Sequence, residues 1–238
     1  MSVRMSTVPD LARSDVGAVR ISSWRVGTPE RQKAAVEAMA AAWQRGDWPD
    51  PGLLSYSVYT SNDGETLLHY TQWASDEAFE EFLRTRRAFK ETWNAEVDAA
   101  VPGIERLGLH AYELYRSGGR RGSDDRTPGC VVIVEVEFDG PDAARQRAWV
   151  DAVFAALASD PHTPPGGMAA HFHTGTDGTR VVNYAEWESE QAHKDALEAP
   201  GDGVGSRTEQ WERVQRHPGL RSSRVTRYTP ALSMSAGV

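Results

Sequence analysis

The sequence predicts an α+β fold made by writing one βαββαβ unit twice in a single chain. Three observations predict it. The segment Thr60–Phe82, TSNDGETLLHYTQWASDEAFEEF, returns as Thr174–Ala196, TGTDGTRVVNYAEWESEQAHKDA. The pairs Thr60/Thr174, Asp63/Asp177, Gly64/Gly178, Tyr70/Tyr184, Trp73/Trp187, Ser75/Ser189 and Ala78/Ala192 are identical at a constant offset of 114. That period is too long for a solenoid unit and matches one small domain. In each copy an Asp-Gly pair separates two alternating apolar runs, which marks a β-hairpin. An apolar stripe of helical period, Val36, Met39, Ala40 and Trp43, recurs as Val150, Val153, Phe154 and Leu157. The letters change there while the burial pattern is kept.

Each element has its own signal. Val19–Val26 alternates and ends at Gly27. Thr28-Pro29 then opens a helix, a hydroxyl N-cap followed by proline at the first helical position. After Pro51-Gly52, the runs Leu53–Thr60 and Glu65–Trp73 turn through Ser61-Asn62-Asp63-Gly64; after Pro165-Gly166, Gly167–Thr174 and Thr179–Trp187 turn at Asp177-Gly178. Ser75 and Ser189 are set as N-caps with acidic residues in the first turn. The following helices are expected over Asp76–Ala99 and Glu190–Arg216, the second broken at Pro200-Gly201-Asp202-Gly203. Last strands are expected over Glu105–Tyr115 and Arg221–Tyr228, where the offset has grown to 116.

The βαββαβ order is the ferredoxin-like arrangement, one antiparallel sheet with both helices on one face. Side chains alternate along a strand, and both faces are apolar or aromatic here: Leu68 and Tyr70 on one, Leu67 and Trp73 on the other. The second face therefore needs its own cover. The other copy's sheet supplies the simplest one, giving an intrachain pseudo-dimeric α+β barrel. Domains are expected at 18–117 and 130–230, joined by a polar linker at 118–129. A formal net charge of −8 argues against nucleic acid. No apolar run approaches the roughly 20 residues that span a bilayer. The N-terminal stretch has no apolar core of a secretion signal, and the single cysteine, Cys130, fits a reducing cytoplasm.

The strands LLHYTQW and VVNYAEW, each closed by tryptophan and followed by a Ser-capped acidic helix start, resemble the antibiotic biosynthesis monooxygenase domain of the dimeric α+β barrel superfamily. The resemblance covers roughly Ala18–Ser117 and Cys130–Pro230. It implies a pocket in each unit between sheet and helices. It also implies oxidation of anthrones or phenolic polyketides by O2, with neither metal nor flavin. The family's catalytic asparagine and tryptophan lie four residues apart on this strand, and Asn183 and Trp187 match them. An even spacing puts both on one sheet face. His173, on the preceding strand, matches a polar pocket group, and Arg207 a pocket arginine. In the first copy His69 replaces the asparagine while Trp73 remains; Tyr59 corresponds to His173, and Trp93 to Arg207. The second copy is the expected asparagine-type site, with His69 a candidate general base in the first. Asn183 would stabilise developing negative charge on a substrate oxygen, and Trp187 would form an apolar wall.

Plainer roles stand beside these. Trp73 and Trp187 suit core packing, and Asn183 suits a structural hydrogen bond. His171-x-His173 sets two imidazoles on one strand face without an evident third ligand, too few for a metal site. Arg84, Arg86, Arg87 and Lys90 suit a solvated helix face. Other chemistries open to such a fold are a polyketide cyclase or reduced-flavin-dependent ring-cleaving oxygenase, a haem-binding or haem-degrading protein, and a non-catalytic ligand-binding or stress-response barrel. The expected partner is a small aromatic substrate with O2 as co-substrate. A single chain suffices as the pseudo-dimer, with further homo-oligomers open.

Overall fold

A computed structural model describes residues 2–119, 126–160, 164–199 and 208–236. Along the chain run β1 (Val3–Ser6), β2 (Ala18–Arg25), α1 (Pro29–Gln44), β3 (Leu53–Ser61), β4 (Thr66–Trp73), α2 (Asp76–Thr85), α3 (Arg87–Ala100) and β5 (Glu105–Gly119). There follow β6 (Cys130–Phe138), α4 (Ala143–Ser159), β7 (Gly167–Gly175), β8 (Arg180–Trp187), α5 (Glu190–Glu198), α6 (Glu209–Gln215) and β9 (Leu220–Ala236). Two compact units emerge: Met1–Tyr112 with Tyr228–Val238, and Glu113–Arg227. In unit 1, β4 lies between β2 and β3, β5 flanks β2, and residues 228–235 of β9 flank β3, all antiparallel. In unit 2, β8 lies between β6 and β7. Both are α+β units of ferredoxin-like strand order.

The same local chemistry shapes both. Thr28 caps α1 by accepting from the Arg31 N–H, and Asp142 caps α4 by accepting from the Arg145 N–H. Ser75 and Ser189 cap α2 and α5 in the same way, through the N–H groups of Ala78 and Ala192. At the hairpins Gly64 and Gly178 take φ of +85° and +76°, the left-handed region that glycine enters without a Cβ penalty. One repeated clamp is less obvious. The buried Gln32 amide donates to the carbonyls of Ser61 (3.0 Å) and Thr66 (2.8 Å), and the buried Gln146 amide to those of Gly175 (3.1 Å) and Arg180 (2.6 Å). Each pins its first helix to the ends of the following hairpin. A buried polar side chain is tolerated there because its donors are satisfied.

Several boundaries differ from expectation. The helix expected over Asp76–Ala99 is two, α2 and α3, meeting at Arg86, whose φ and ψ of −107° and 26° leave the helical region. No proline or glycine marks the break, so apolar periodicity reads straight through it. β5 and β9 run on to Gly119 and Ala236, and β1 adds an unforeseen antiparallel pair with β9. Gly118 and Gly119 of the expected linker belong to β5, and residues 120–125 lie outside the described residues. The expected break at Pro200–Gly203 also lies outside them. Among the described residues no helix is long and apolar enough to cross a membrane.

The helix-facing side of each sheet carries a large core cluster. In unit 1 it is one large cluster including Trp24, Met39, Trp43, Tyr56, Leu67, Trp73 and Val97. In unit 2 it is divided, with Phe138, Trp149, Val153 and Phe172 in one cluster and Cys130, Val132, Ala185 and Trp187 in another. Fully burying one such side chain stabilises the fold by about 1.5–3 kcal/mol.

Candidate active site

Strand register decides which side chains share a surface. In antiparallel pairs, residues directly opposite one another point to the same face. His69 sits opposite Ser22 and Val58, Thr71 opposite Arg20 and Tyr56, and Trp73 opposite Ala18 and Leu53. Trp24 lies opposite Leu67, one alternation further. This face of unit 1, roofed by Trp43 of α1, Phe79 and Phe82 of α2, and Phe89, Lys90 and Trp93 of α3, encloses a cavity of about 470 Å³. That volume lies in the range of small-molecule sites. Arg20, Lys90 and Arg106 bring positive charge to its lining, which includes no Asp or Glu.

His69 is its most constrained polar group. The ring is buried, 4.2 Å from the Trp24 ring, and its Nδ1 is 2.8 Å from the Tyr56 hydroxyl. Burial, with the positive charge of Arg106 adding, lowers its pKa to about 3. The imidazole is therefore neutral at physiological pH. Burial likewise raises the Tyr56 hydroxyl well above the ordinary tyrosine value and keeps it protonated. His69 Nε2, Trp43 Nε1 and Trp93 Nε1 are buried with no hydrogen-bond partner among the described residues, and all three side chains line the cavity. Trp73 is held by donation from its Nε1 to Thr71 Oγ1 at 2.8 Å and packs on Phe79 and Phe82. Arg20 donates to Asp76 at 2.6 Å and lies over the Phe79 ring; Arg106 donates to Asp98 at 3.0 Å and lies over the Trp24 ring.

The site residues anticipated from sequence divide clearly. His69, Trp73 and Trp93 come together on the unit 1 cavity. Lys90, expected only on a solvated face, is exposed and lines it as well. Tyr59 does not join them. It lies opposite Leu68, on the far face with Tyr70, and is fully buried there. In unit 2, Asn183 and Trp187 share the helix-facing side, with Asn183 opposite Phe172 and Val134. Asn183 Oδ1 is buried without a partner among the described residues. Trp187 packs edge-on against His193 at 4.8 Å. His193 accepts from Arg227 Nε at 2.9 Å, and burial with that neighbouring charge lowers its pKa to about 4. His173 lies opposite Val182, so it faces away from Asn183; its Nδ1 is 3.0 Å from the His171 carbonyl oxygen, and burial lowers its pKa to about 3. Proximity to the hairpin suggested His173 and Tyr59, but strand parity sends both to the other side. Arg207 lies outside the described residues. Among the described residues no group of three or more His, Cys, Asp or Glu is placed to hold a metal ion.

Sequence reasoning missed Tyr56, Trp24, Trp43, Arg20 and Arg106. A signal existed for the first. Counting back from Asp63-Gly64 sets Tyr56 opposite Thr71, on the face of His69 and Trp73. The others come from elements whose register no hairpin fixes.

Residues 25–95 match the family model described as antibiotic biosynthesis monooxygenase. A monooxygenase from the gene ActVA-Orf6 of Streptomyces coelicolor, solved with nanaomycin D, is 34% identical over 43% of this chain and 88% of its own, with a TM-score of 0.34. The chain belongs to the antibiotic biosynthesis monooxygenase family. An anthrone oxidase-like protein matches 94% of this chain and 95% of its own at 22% identity and a TM-score of 0.70, a likeness of fold. A comparison with curated proteins finds no match. The stretch matched to the antibiotic biosynthesis monooxygenase family contains Tyr56, His69, Trp73 and Trp93, so it holds much of the unit 1 cavity.

Proposed function

We propose that the unit 1 cavity oxidises a phenolic or anthrone-like polycyclic substrate of secondary metabolism, aromatic polyketides included, with O2 and without metal or flavin. The observation that carries this is an aromatic-walled cavity in unit 1 whose lining brings His69 together with Arg20, Lys90 and Arg106 and includes no Asp or Glu. Trp24, Trp73 and Trp93 suit the faces of a flat polycycle and exclude water. Arg20, Arg106 and Lys90 favour an ionised substrate oxygen. An electron-rich phenolate or enolate can itself pass an electron to O2. Recombination gives a hydroperoxide, and loss of water leaves a ketone or quinone, so the overall change is CH2 + O2 → C=O + H2O. The protein's part is to hold the anion and its ring in place. The unpartnered Asn183 Oδ1 favours a second site in unit 2, on the strand that keeps the family's Asn and Trp.

Turnover of a simple anthrone, with and without oxygen, tests the reading. Product formation should stop anaerobically, and His69→Ala should lower kcat by about 10²-fold, the effect of removing one charge-stabilising donor. Unchanged anaerobic product formation sinks the oxygenase reading. A loss with Asn183→Ala but not with His69→Ala would move the chemistry to unit 2.

A further inference from the structure

We infer that the unit 1 cavity is closed at its β3 end and open at its β5 end, so that a polycyclic substrate enters with an unsubstituted terminal ring first, and that Trp43 is the specificity-determining residue that stops it. The polycyclic class rests on the function proposed above; the direction of entry and the limit on substituents are new.

The floor of the cavity runs across four adjacent strands. Leu53 and Tyr56 come from β3, His69 and Thr71 from β4, Ser22 from β2 and Leu109 from β5. Three strand spacings make that floor about 14 Å long, room for a flat polycycle lying across the strands. Its two ends differ. At the β3 end Leu53 is 3% exposed, Trp43 5% and Tyr56 8%. At the β5 end Leu109 is 50% exposed, and Gly108 and Arg106 are exposed as well. Leu109 lies opposite Ser22, on the helix-facing side, and lines the cavity, so its exposure marks the opening. The closed end is braced. The Trp43 ring lies 5.1 Å from that of Trp48 and 5.2 Å from that of Tyr56. Trp48 stands outside the lining and is fixed by donating from its Nε1 to the Leu53 carbonyl at 2.7 Å; Tyr56 is fixed by its hydroxyl, 2.8 Å from His69 Nδ1. An indole held by two anchored rings cannot swing aside, so extra bulk at this end overpacks the site. The chemistry of the ends differs too. Leu53 and Trp43 make the β3 end apolar, whereas Arg106, paired with Asp98, sets a guanidinium at the open end. Ligand hydroxyls keep water or reach Arg106 there, and would lose both at the closed end. A hydroxyl-bearing ring therefore stays outermost, where bulk is accepted, and bulk is refused on the opposite ring. Leu157 stands at the corresponding place in unit 2, packed against its core, so the frame accommodates leucine there.

Calorimetric titration of the full chain with alizarin, a hydroxyanthraquinone whose two hydroxyls share one terminal ring, tests the direction of entry. A tert-butyl group added to the hydroxyl-bearing ring should leave Kd nearly unchanged. The same group on the opposite terminal ring should weaken binding about tenfold or more, the scale on which an apolar pocket rejects added bulk. Trp43→Leu should restore most of that loss and Trp43→Phe a smaller part; where Trp43→Leu does not fold, Trp43→Phe decides. Leu109→Ala, at the open end, should leave the preference between the two isomers intact. Equal or reversed affinities for the isomers overturn this inference and leave the oxygenase proposal standing. So does a preference that both Trp43 variants leave intact, or one that Leu109→Ala removes. Failure of alizarin itself to bind overturns both.

Discussion

Four residues before its closing tryptophan, β4 carries His69, bonded to Tyr56 and stacked near Trp24; at the same place β8 carries Asn183, flanked by Phe172 and Val134. Around these two positions the offset of 114 pairs Tyr56 with Ala170, Trp24 with Phe138, Trp43 with Leu157 and Phe82 with Ala196. Each change shrinks an aromatic or removes it. Residues that build the frame behave differently. Gln32 and Gln146, Ser75 and Ser189, and Gly64 and Gly178 make the same contacts in both units. The backbone frame is thus the same in the two units while the walls differ, because a wall side chain can change without moving a strand.

The largest expected effects probe what the two units share. Trp73→Ala and Trp187→Ala should each destabilise the chain by about 3–5 kcal/mol in urea unfolding, the usual cost of emptying a buried indole site. A much smaller loss for Trp187→Ala would show that the divided unit 2 core collapses more readily and would break the equivalence. Acid should act on both units. The His69 pKa falls from 6.5 unfolded to about 3 folded, so between those values the unfolded chain binds more protons and stability drops as pH falls. His173, lowered to about 3, and His193, lowered to about 4, act in the same direction. Urea midpoints should therefore decline from pH 7 to pH 4, and His69→Asn should flatten that decline without abolishing it. An unchanged slope in His69→Asn would mean that His69 does not stay neutral on folding. The smallest effect is a symmetry test: Ser75→Ala and Ser189→Ala should each cost about 1 kcal/mol. Unequal costs would show that the frame, too, has diverged.

The hairpins, caps and repeated helix stripe were legible because their causes lie within a few residues. Asp63-Gly64 and Asp177-Gly178 specify their turns locally, and Ser75 and Ser189 cap the helices they precede. The split at Arg86 was not legible, since no breaker residue signals it. Gln32 and Gln146 are identical at the repeat offset, yet an amide within an apolar helix face gives no hint of two carbonyls about 30 residues downstream. Of the candidate site, His69, Trp73 and Trp93 were visible as departures from or matches to the repeat. Tyr59 and His173 were misjudged because nearness to a hairpin is not the same as sharing a face.

By itself the sequence determined the repeat, the strand and helix order within each copy apart from the split at Arg86 and the added β1, and the positions 69 and 183 at which the copies differ, all of which rest on periodicity and short-range hydrogen bonding. Only the tertiary structure decided that Tyr56 reaches His69, that Trp24, Trp43 and Trp93 face the same space, and that unit 1 encloses a cavity there. Those facts depend on strand register and helix packing among segments as far apart as Arg20 and Arg106, distances over which no local pattern in a chain can report.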